Sequence, residues 1–156
     1  MAQDPLDKLL LERQLCFSLY AASRLLTRRY QPLLEPLGLT YPQYLVMLIL
    51  WQDSPCGVGH IGARALLNTN TLTPLLKRLE QQGYVDRRRG ARDERTVDLH
   101  LTPIGLALKQ QCAHVPLSMA AGVAYSATQA EALKGLLDQL IQQLQIAPAV
   151  AANAQP

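Results

Sequence analysis

The side chains able to do chemistry sit in two places. Five arginines, Arg87, Arg88, Arg89, Arg92 and Arg95, crowd around Gly90, a density of fixed positive charge suited to phosphate oxygens. Far upstream, Cys16 precedes Tyr20 by four residues, so on a helix the thiol and the phenol share one face. A thiol becomes a nucleophile once ionised. Other chemistry has little to stand on. Cys16, Cys56 and Cys112 make no even disulfide set and no CxxC pair, and the three histidines are well apart, so no metal site is signalled. Neither a glycine-rich phosphate loop nor a GxSxG elbow occurs. The expectation is a protein that is not an enzyme and holds no cofactor.

Charge is local. The chain carries 15 Lys+Arg against 12 Asp+Glu, a net +3. Between Arg64 and Arg95 stand eight basic and four acidic residues, so that stretch holds +4 and the remainder −1. A positive zone on a near-neutral body suits binding to a polyanion at one surface. At 156 residues and 49% apolar content the chain fits one domain, residues 1–156, with a real core. No apolar run approaches the roughly 20 residues that cross a bilayer, and the polar start MAQDPLDK lacks a basic leader region. A cytoplasmic protein without membrane contact is expected.

The elements that must carry the arginines and the thiol follow from periodicity. Leu72, Leu75, Leu76 and Leu79 fall at i, i+3, i+4 and i+7, one apolar stripe, with Thr73, Lys77, Arg78 and Gln81 pointing elsewhere. Thr71 is the expected N-cap, Pro74 lies in the first turn, and Gly83 ends the helix. Tyr84 to Arg88 and Thr96 to Leu101 alternate as two strands joined by the arginine-bearing turn. A helix feeding an arginine-tipped hairpin reads as the recognition helix and wing of a winged helix-turn-helix, placed at residues 41–102.

Asp4-Pro5 with Asp7 predicts a first helix from about Pro5 to Arg29 or Tyr30, broken by Pro32, Pro36 and Gly38. A core helix runs from Thr40 or Tyr41 to about Trp51, residues 53–57 form a loop, and a short helix covers about Val58 to Leu66. A turn at Leu67-Asn68-Thr69-Asn70 then leads into the recognition helix. Thr102-Pro103 begins a helix to about His114 that Pro116 kinks. Ser126, with Gln129 three residues on, opens a last helix carrying Leu133, Leu136, Leu137, Leu140, Ile141 and Leu144. Residues 5–32 and 103–145 are more apolar than one small domain needs and read as dimerisation helices. Residues 147–156 are expected to be disordered. The fold class is mostly α with a small β-wing, a winged helix-turn-helix plus a helical dimerisation part.

With these elements in place, the sequence resembles the multiple antibiotic resistance regulator (MarR) family over about residues 5–145. The matching residues are Leu72 to Glu80, Gly83-Tyr84-Val85, Arg87, Asp93-Glu94-Arg95, and Leu101-Thr102 with Gly105. The segments Leu15 to Tyr20, Tyr30 to Leu34 and Leu37 to Tyr44 are similar to its organic hydroperoxide resistance regulators (OhrR). That resemblance implies a repressor that binds double-stranded, pseudo-palindromic operator DNA as a homodimer while Cys16 is reduced. Organic hydroperoxide, by oxidising Cys16, would release it. It also implies that Tyr30 and Tyr41 reach Cys16 from the opposite subunit, and that Asp93 shapes the wing while Arg92 or a neighbour enters the minor groove.

The residue types fit. A thiolate attacks a peroxide O–O bond, and the hydroxyls of Tyr20, Tyr30 and Tyr41 can donate to the thiolate and to the sulfenate oxygen. By itself a helix cysteine is more often a small buried hydrophobe; the tyrosines at the matching places favour a sensor. Cys112 is a candidate second thiol or a packed bystander, and Cys56 is incidental. Thr69, Asn70, Thr71, Thr73, Lys77 and Arg78, with Arg87, Arg88, Arg89, Arg92 and Arg95, are the expected DNA contacts. The alternative is a repressor of the same family answering a small phenolic or other non-oxidant ligand.

Overall fold

The computed structural model describes residues 5–90 and 96–147. The chain forms two compact units, Met1–Ala121 and Gly122–Pro156. The first begins with two 3-10 turns, Pro5–Leu9 and Leu11–Arg13, and continues through α1 (Leu15–Leu34), a 3-10 turn at Glu35–Leu37, and α2 (Tyr41–Asp53). Next come β1 (Cys56–Gly57), α3 (Val58–Ala65), α4 (Thr69–Gln81), β2 (Val85–Arg89) and β3 (Val97–Leu101). It ends with α5 (Pro103–Gln111), a 3-10 turn at Cys112–His114, and α6 (Val115–Ala120). The second unit contributes α7 (Ala127–Ile146). This is the expected mostly helical class with a small sheet, and no single helix among the described residues is long and apolar enough to cross a membrane.

Helix α2 runs through the core. Val46, Met47 and Leu50 are fully buried, and Leu34, Ile61, Leu72, Leu76, Leu79, Val85, Leu99 and Val115 close around them. Thr40 and Gln43 start α2 with a reciprocal capping box: the Thr40 N–H donates to Gln43 Oε1 at 2.8 Å, and the Gln43 N–H donates to Thr40 Oγ1 at 3.4 Å. That pairing lets Gln43 be buried without an orphaned amide oxygen.

Several boundaries differ from expectation. The first helix starts at Leu15, not near Pro5, because two short 3-10 turns precede it. It runs through Pro32 to Leu34, so the break falls at Pro36 and Gly38. The recognition helix is capped by Asn68, whose Oδ1 accepts the Thr71 N–H at 2.9 Å. Thr71 is therefore inside the helix rather than its cap, and Pro74 lies in the second turn. The expected loop at residues 53–57 contains β1, whose Cys56 and Gly57 pair antiparallel with Leu99 and Asp98. Two residues are too short for any periodic signal. The helix from Pro103 ends at Gln111, three residues early, as the chain tightens into a 3-10 turn before Pro116.

The sheet order is β1-β3-β2, with Val85, Arg87 and Arg89 opposite Leu101, Leu99 and Val97. Its root is held by a knot of short contacts. Gly83 turns the chain out of α4 with φ +75°, a left-handed conformation glycine tolerates. The Thr102 hydroxyl donates to the Gly83 carbonyl at 2.5 Å and accepts the Gly105 N–H at 3.0 Å, while the Thr102 N–H donates to the Tyr84 carbonyl at 3.1 Å. Gly105 packs so close that a Cβ there would collide with the Tyr84 carbonyl oxygen. Trp51 completes the knot: its indole N–H donates to the Gly105 carbonyl at 2.9 Å.

At the same end of α2 as Trp51, Asp53 clamps α3. Its Oδ2 lies 2.5 Å from Arg64 Nη1 and 2.7 Å from His60 Nε2. Helix α3 ends on Leu66 at φ 54°, and the Leu67 N–H donates back to the Gly62 carbonyl at 3.0 Å, closing the helix-turn-helix corner.

In the second unit, Ser126 caps α7 as expected, with Ser126 N–H to Gln129 Oε1 at 2.9 Å and Gln129 N–H to Ser126 Oγ at 3.2 Å. Leu133, Leu136, Ile141, Leu144 and Ile146 are exposed. Residues 148–156, most of the predicted tail, lie outside the described residues.

Two outcomes follow for stability. Gly105→Ala must push α5 off the wing root and should lower unfolding free energy by about 1–3 kcal/mol, read from urea denaturation; an unchanged midpoint would contradict the close approach. His60 and Arg64 bonding to Asp53 hold its carboxyl below the usual carboxylate range. A depressed folded value stabilises above the unfolded pKa and is lost as pH falls through the folded one. The urea midpoint of wild type should exceed that of Asp53→Asn at neutral pH, and the gap should close below about pH 4.

Candidate nucleic-acid interface and thiol site

Recognition helix α4 divides cleanly. Leu72, Leu76 and Leu79 face the core, while Thr69, Asn70, Thr71, Thr73, Pro74, Lys77, Arg78 and Gln81 are exposed. Every residue expected on the DNA side of this helix thus lies on its open face. The Thr73 hydroxyl donates to the Thr69 carbonyl at 2.8 Å, so in the free chain it is turned back on the helix.

The wing alternates about its pleat. Val85 is buried; Arg87 and Arg89 follow on the same side, and Asp86 and Arg88 on the other. Arg88 Nη2 lies 3.5 Å from Asp86 Oδ2 with both side chains mostly exposed, and Arg89 has no ion pair among the described residues. Arg87 differs: its Nε sits 3.2 Å from Glu80 Oε2 on the last turn of α4. Glu80 did not stand out in the sequence, because the pair spans a turn and follows no helical spacing. Arg92, Asp93 and Arg95 lie outside the described residues.

The predicted thiol site is split. Cys16 is exposed in the first turn of α1, and Tyr20, one turn on, is 60% exposed with the Arg24 guanidinium 5.8 Å from its ring. Tyr30 lies fourteen residues beyond Cys16 on the same helix, about 21 Å along the axis. It stacks on Tyr41 of α2, centroids 4.5 Å apart at 29°. Tyr30 and Tyr41 therefore come together and Cys16 does not join them within one chain. Burial pushes the phenols of both tyrosines up, with Tyr30 adding to the shift of Tyr41. Both stay protonated at neutral pH and able to donate, and among the described residues neither hydroxyl has a hydrogen-bond partner.

The tyrosine pair continues inward. Tyr44 lies 5.9 Å from Tyr30, and Trp51 meets Tyr44 edge-on at 6.4 Å and 69°. This row, with Trp51 bonded to the wing root, went unnoticed in the sequence. Its signal was there: Tyr44 and Trp51 are seven apart on α2, two turns on one face. Cys112 is 3% exposed, and burial pushes its thiol up, which suppresses thiolate. Cys56 is half-buried, its thiol raised by burial and then by Asp53 and Asp98. No group of three His, Cys, Asp or Glu among the described residues could hold a metal ion.

Residues 28–112 match the family described as transcriptional regulator SarA/Rot. The organic hydroperoxide resistance transcriptional regulator of Bacillus subtilis strain 168 is 42% identical over 142 residues, covering 91% of this chain and 97% of its own. The structure of reduced AbfR bound to DNA, AbfR being a Staphylococcus epidermidis protein, superposes with TM-score 0.75 at 39% identity, covering 89% of this chain and 95% of the other. Overoxidized AbfR bound to DNA gives TM-score 0.71 at 36% identity, covering 90% and 99%. The chain belongs to the MarR/SarA-type transcriptional regulators.

Proposed function

We propose that this regulator is a cytoplasmic, peroxide-sensing repressor that binds operator DNA as a homodimer when Cys16 is reduced and releases it when organic hydroperoxide oxidises Cys16. The observation that carries the reading is the stacked Tyr30–Tyr41 pair, with no hydrogen-bond partner for either hydroxyl among the described residues, some 21 Å along α1 from an exposed cysteine. A second copy can bring its Cys16 to that pair. The apolar side chains left bare on α1, Phe17, Leu25 and Leu26, and those on α7, supply area for such a dimer. The 42% identity to a hydroperoxide resistance regulator and the likeness to AbfR in reduced and overoxidized form support the signal.

The chemistry is a two-electron transfer. The Cys16 thiolate attacks the distal peroxide oxygen, the O–O bond breaks, sulfur becomes a sulfenate, and the alcohol leaves with a proton. The Tyr30 and Tyr41 hydroxyls, with Tyr20 from the cysteine's own helix, donate to the thiolate and then to the new oxygen. A polar atom added at a closed interface costs about 1–3 kcal/mol unless it is bonded. The tyrosines answer it by moving, and Tyr44 and Trp51 carry the displacement to Gly105 and the wing root. Burial and a raised thiol pKa make Cys112 an unsuitable resolving partner in this conformation, so Cys16 works alone or with a small thiol. On DNA, α4 enters the major groove with Thr69, Asn70, Thr71, Thr73, Lys77 and Arg78, and Arg88, Arg89, Arg92 and Arg95 engage the backbone and minor groove.

A second reading has one observation behind it. A groove of about 1120 Å³ runs between α1, the start of α2 and α4, with Arg24, Arg28 and Arg78 on its walls. A small phenolic ligand seated there would press on the recognition helix directly, and Cys16 would be irrelevant.

Gel shifts with cumene hydroperoxide separate the two. Cys16→Ser should bind operator DNA as wild type does and stay bound at peroxide concentrations that free the wild type. Release of Cys16→Ser at the wild-type dose would defeat the thiol reading. Lys77→Ala should weaken binding and flatten the dependence of log affinity on log salt by about one unit per lost phosphate contact; an unchanged slope would remove Lys77 from the interface.

A further inference from the structure

We propose that Arg87 is a positioning residue that braces the wing against the recognition helix through Glu80, and that it is not a phosphate contact. The inference rests on the DNA-binding reading above and deepens it. Arg87 follows buried Val85 on the core side of β2, directly opposite Leu99, which is itself fully buried. Its stem is thereby aimed at α4, where the guanidinium Nε meets Glu80 Oε2 at 3.2 Å with the two side chains 32% and 40% exposed. Arg88, on the opposite face, is 60% exposed and makes a longer 3.5 Å contact.

The carboxylate is the telling partner. Glu80 is the one acid on α4, a helix whose open face carries Lys77 and Arg78. An unpaired negative charge there would repel a phosphate backbone. Paired with Arg87 it is neutralised, and the pair ties the last turn of α4 to the third residue of the wing strand. A neutral pair releases no counterions on binding DNA, so Arg87 should be silent in the salt dependence even though losing it moves the wing.

The two roles predict opposite signs for Glu80→Gln. If Arg87 were a phosphate contact, removing the carboxylate would free the guanidinium and take away a repulsive charge, tightening binding. As a brace, Glu80→Gln loosens the wing and weakens binding, by about threefold to tenfold, with the salt slope unchanged. Arg87→Gln should weaken binding at least as much, because it also leaves Glu80 unpaired, and the double variant should be no worse than either single one. Arg89→Ala, by contrast, removes a wing arginine with no ion pair among the described residues and should lower the slope by about one unit per subunit. The probe is a fluorescein-labelled duplex selected by the wild-type protein from a random-sequence pool, followed by anisotropy across a potassium chloride series.

A second arm needs no DNA. Amide hydrogen exchange at Gly90, whose N–H donates to the Thr96 carbonyl at 2.9 Å at the outer end of the wing, should quicken several-fold in Glu80→Gln. Tighter binding by Glu80→Gln, a lowered slope in Arg87→Gln, or unaltered wing exchange would each overturn the brace. Failure of the wild type to bind any duplex would instead strike the DNA-binding reading, and the exchange arm would still decide the brace.

Discussion

A helix cannot bring its first turn to its last. Cys16 opens α1 and Tyr30 lies near its end, and the rise of the helix fixes about 21 Å between them. That rigid spacing shapes the proposed mechanism. One chain holds a thiol with only Tyr20 near it at one end, and the Tyr30–Tyr41 pair without a thiol at the other. In the proposed mechanism a second copy, set against the first, converts two half-sites into two complete ones. In this account dimerisation is part of the sensor rather than only a means of reaching two operator half-sites. The bare apolar residues along α1 are where such a pairing would be made.

The tyrosine end is also the end connected to the wing root. Tyr30 and Tyr41 rest on Tyr44, Tyr44 meets Trp51, and Trp51 donates to Gly105. Gly105 lacks a side chain because the Tyr84 carbonyl occupies the space one would need. Close-packed contacts of this kind pass small displacements on instead of absorbing them. Three strands share that root: β2 and β3 of the wing, and the two-residue β1 that pins β3 from the other side. Asp53, two residues beyond Trp51 in the last turn of α2, fixes α3 and with it the corner from which α4 projects. The wing and the recognition helix are thus held by separate anchors on one core helix, α2.

Much of this was legible in the residues. The leucine stripe of α4, the apolar run of α2, the Ser126 capping box and the alternation of the wing each have a local periodic cause, and each element formed. What could not be read depends on chain segments meeting. The strand at Cys56 exists because Leu99 and Asp98 arrive beside it, and two residues carry no pattern of their own. Asn68 took the cap expected of Thr71 because its oxygen reaches the Thr71 N–H, and both residue types are good caps. Pro5 and Asp7 looked like a helix start, yet the segment before Leu15 settled into 3-10 turns. The candidate site divided in the same way. Exposure of the α4 side chains followed from periodicity, whereas the pairing of Arg87 with Glu80 and the burial of Cys112 followed only from packing.

The central claim, that each sensor is shared between two copies, is tested most directly with mixed dimers carrying two different affinity tags. In the first, one chain is Cys16→Ser and its mate Tyr30→Phe with Tyr41→Phe; in the second, one chain is wild type and its mate carries all three changes. Each dimer has a single Cys16, and peptide mass analysis gives its oxidation rate by cumene hydroperoxide. The account predicts the wild-type rate in the first dimer, where the lone thiol faces intact tyrosines across the interface, and a slow rate in the second. The reverse order, or equal rates in both, would contradict it.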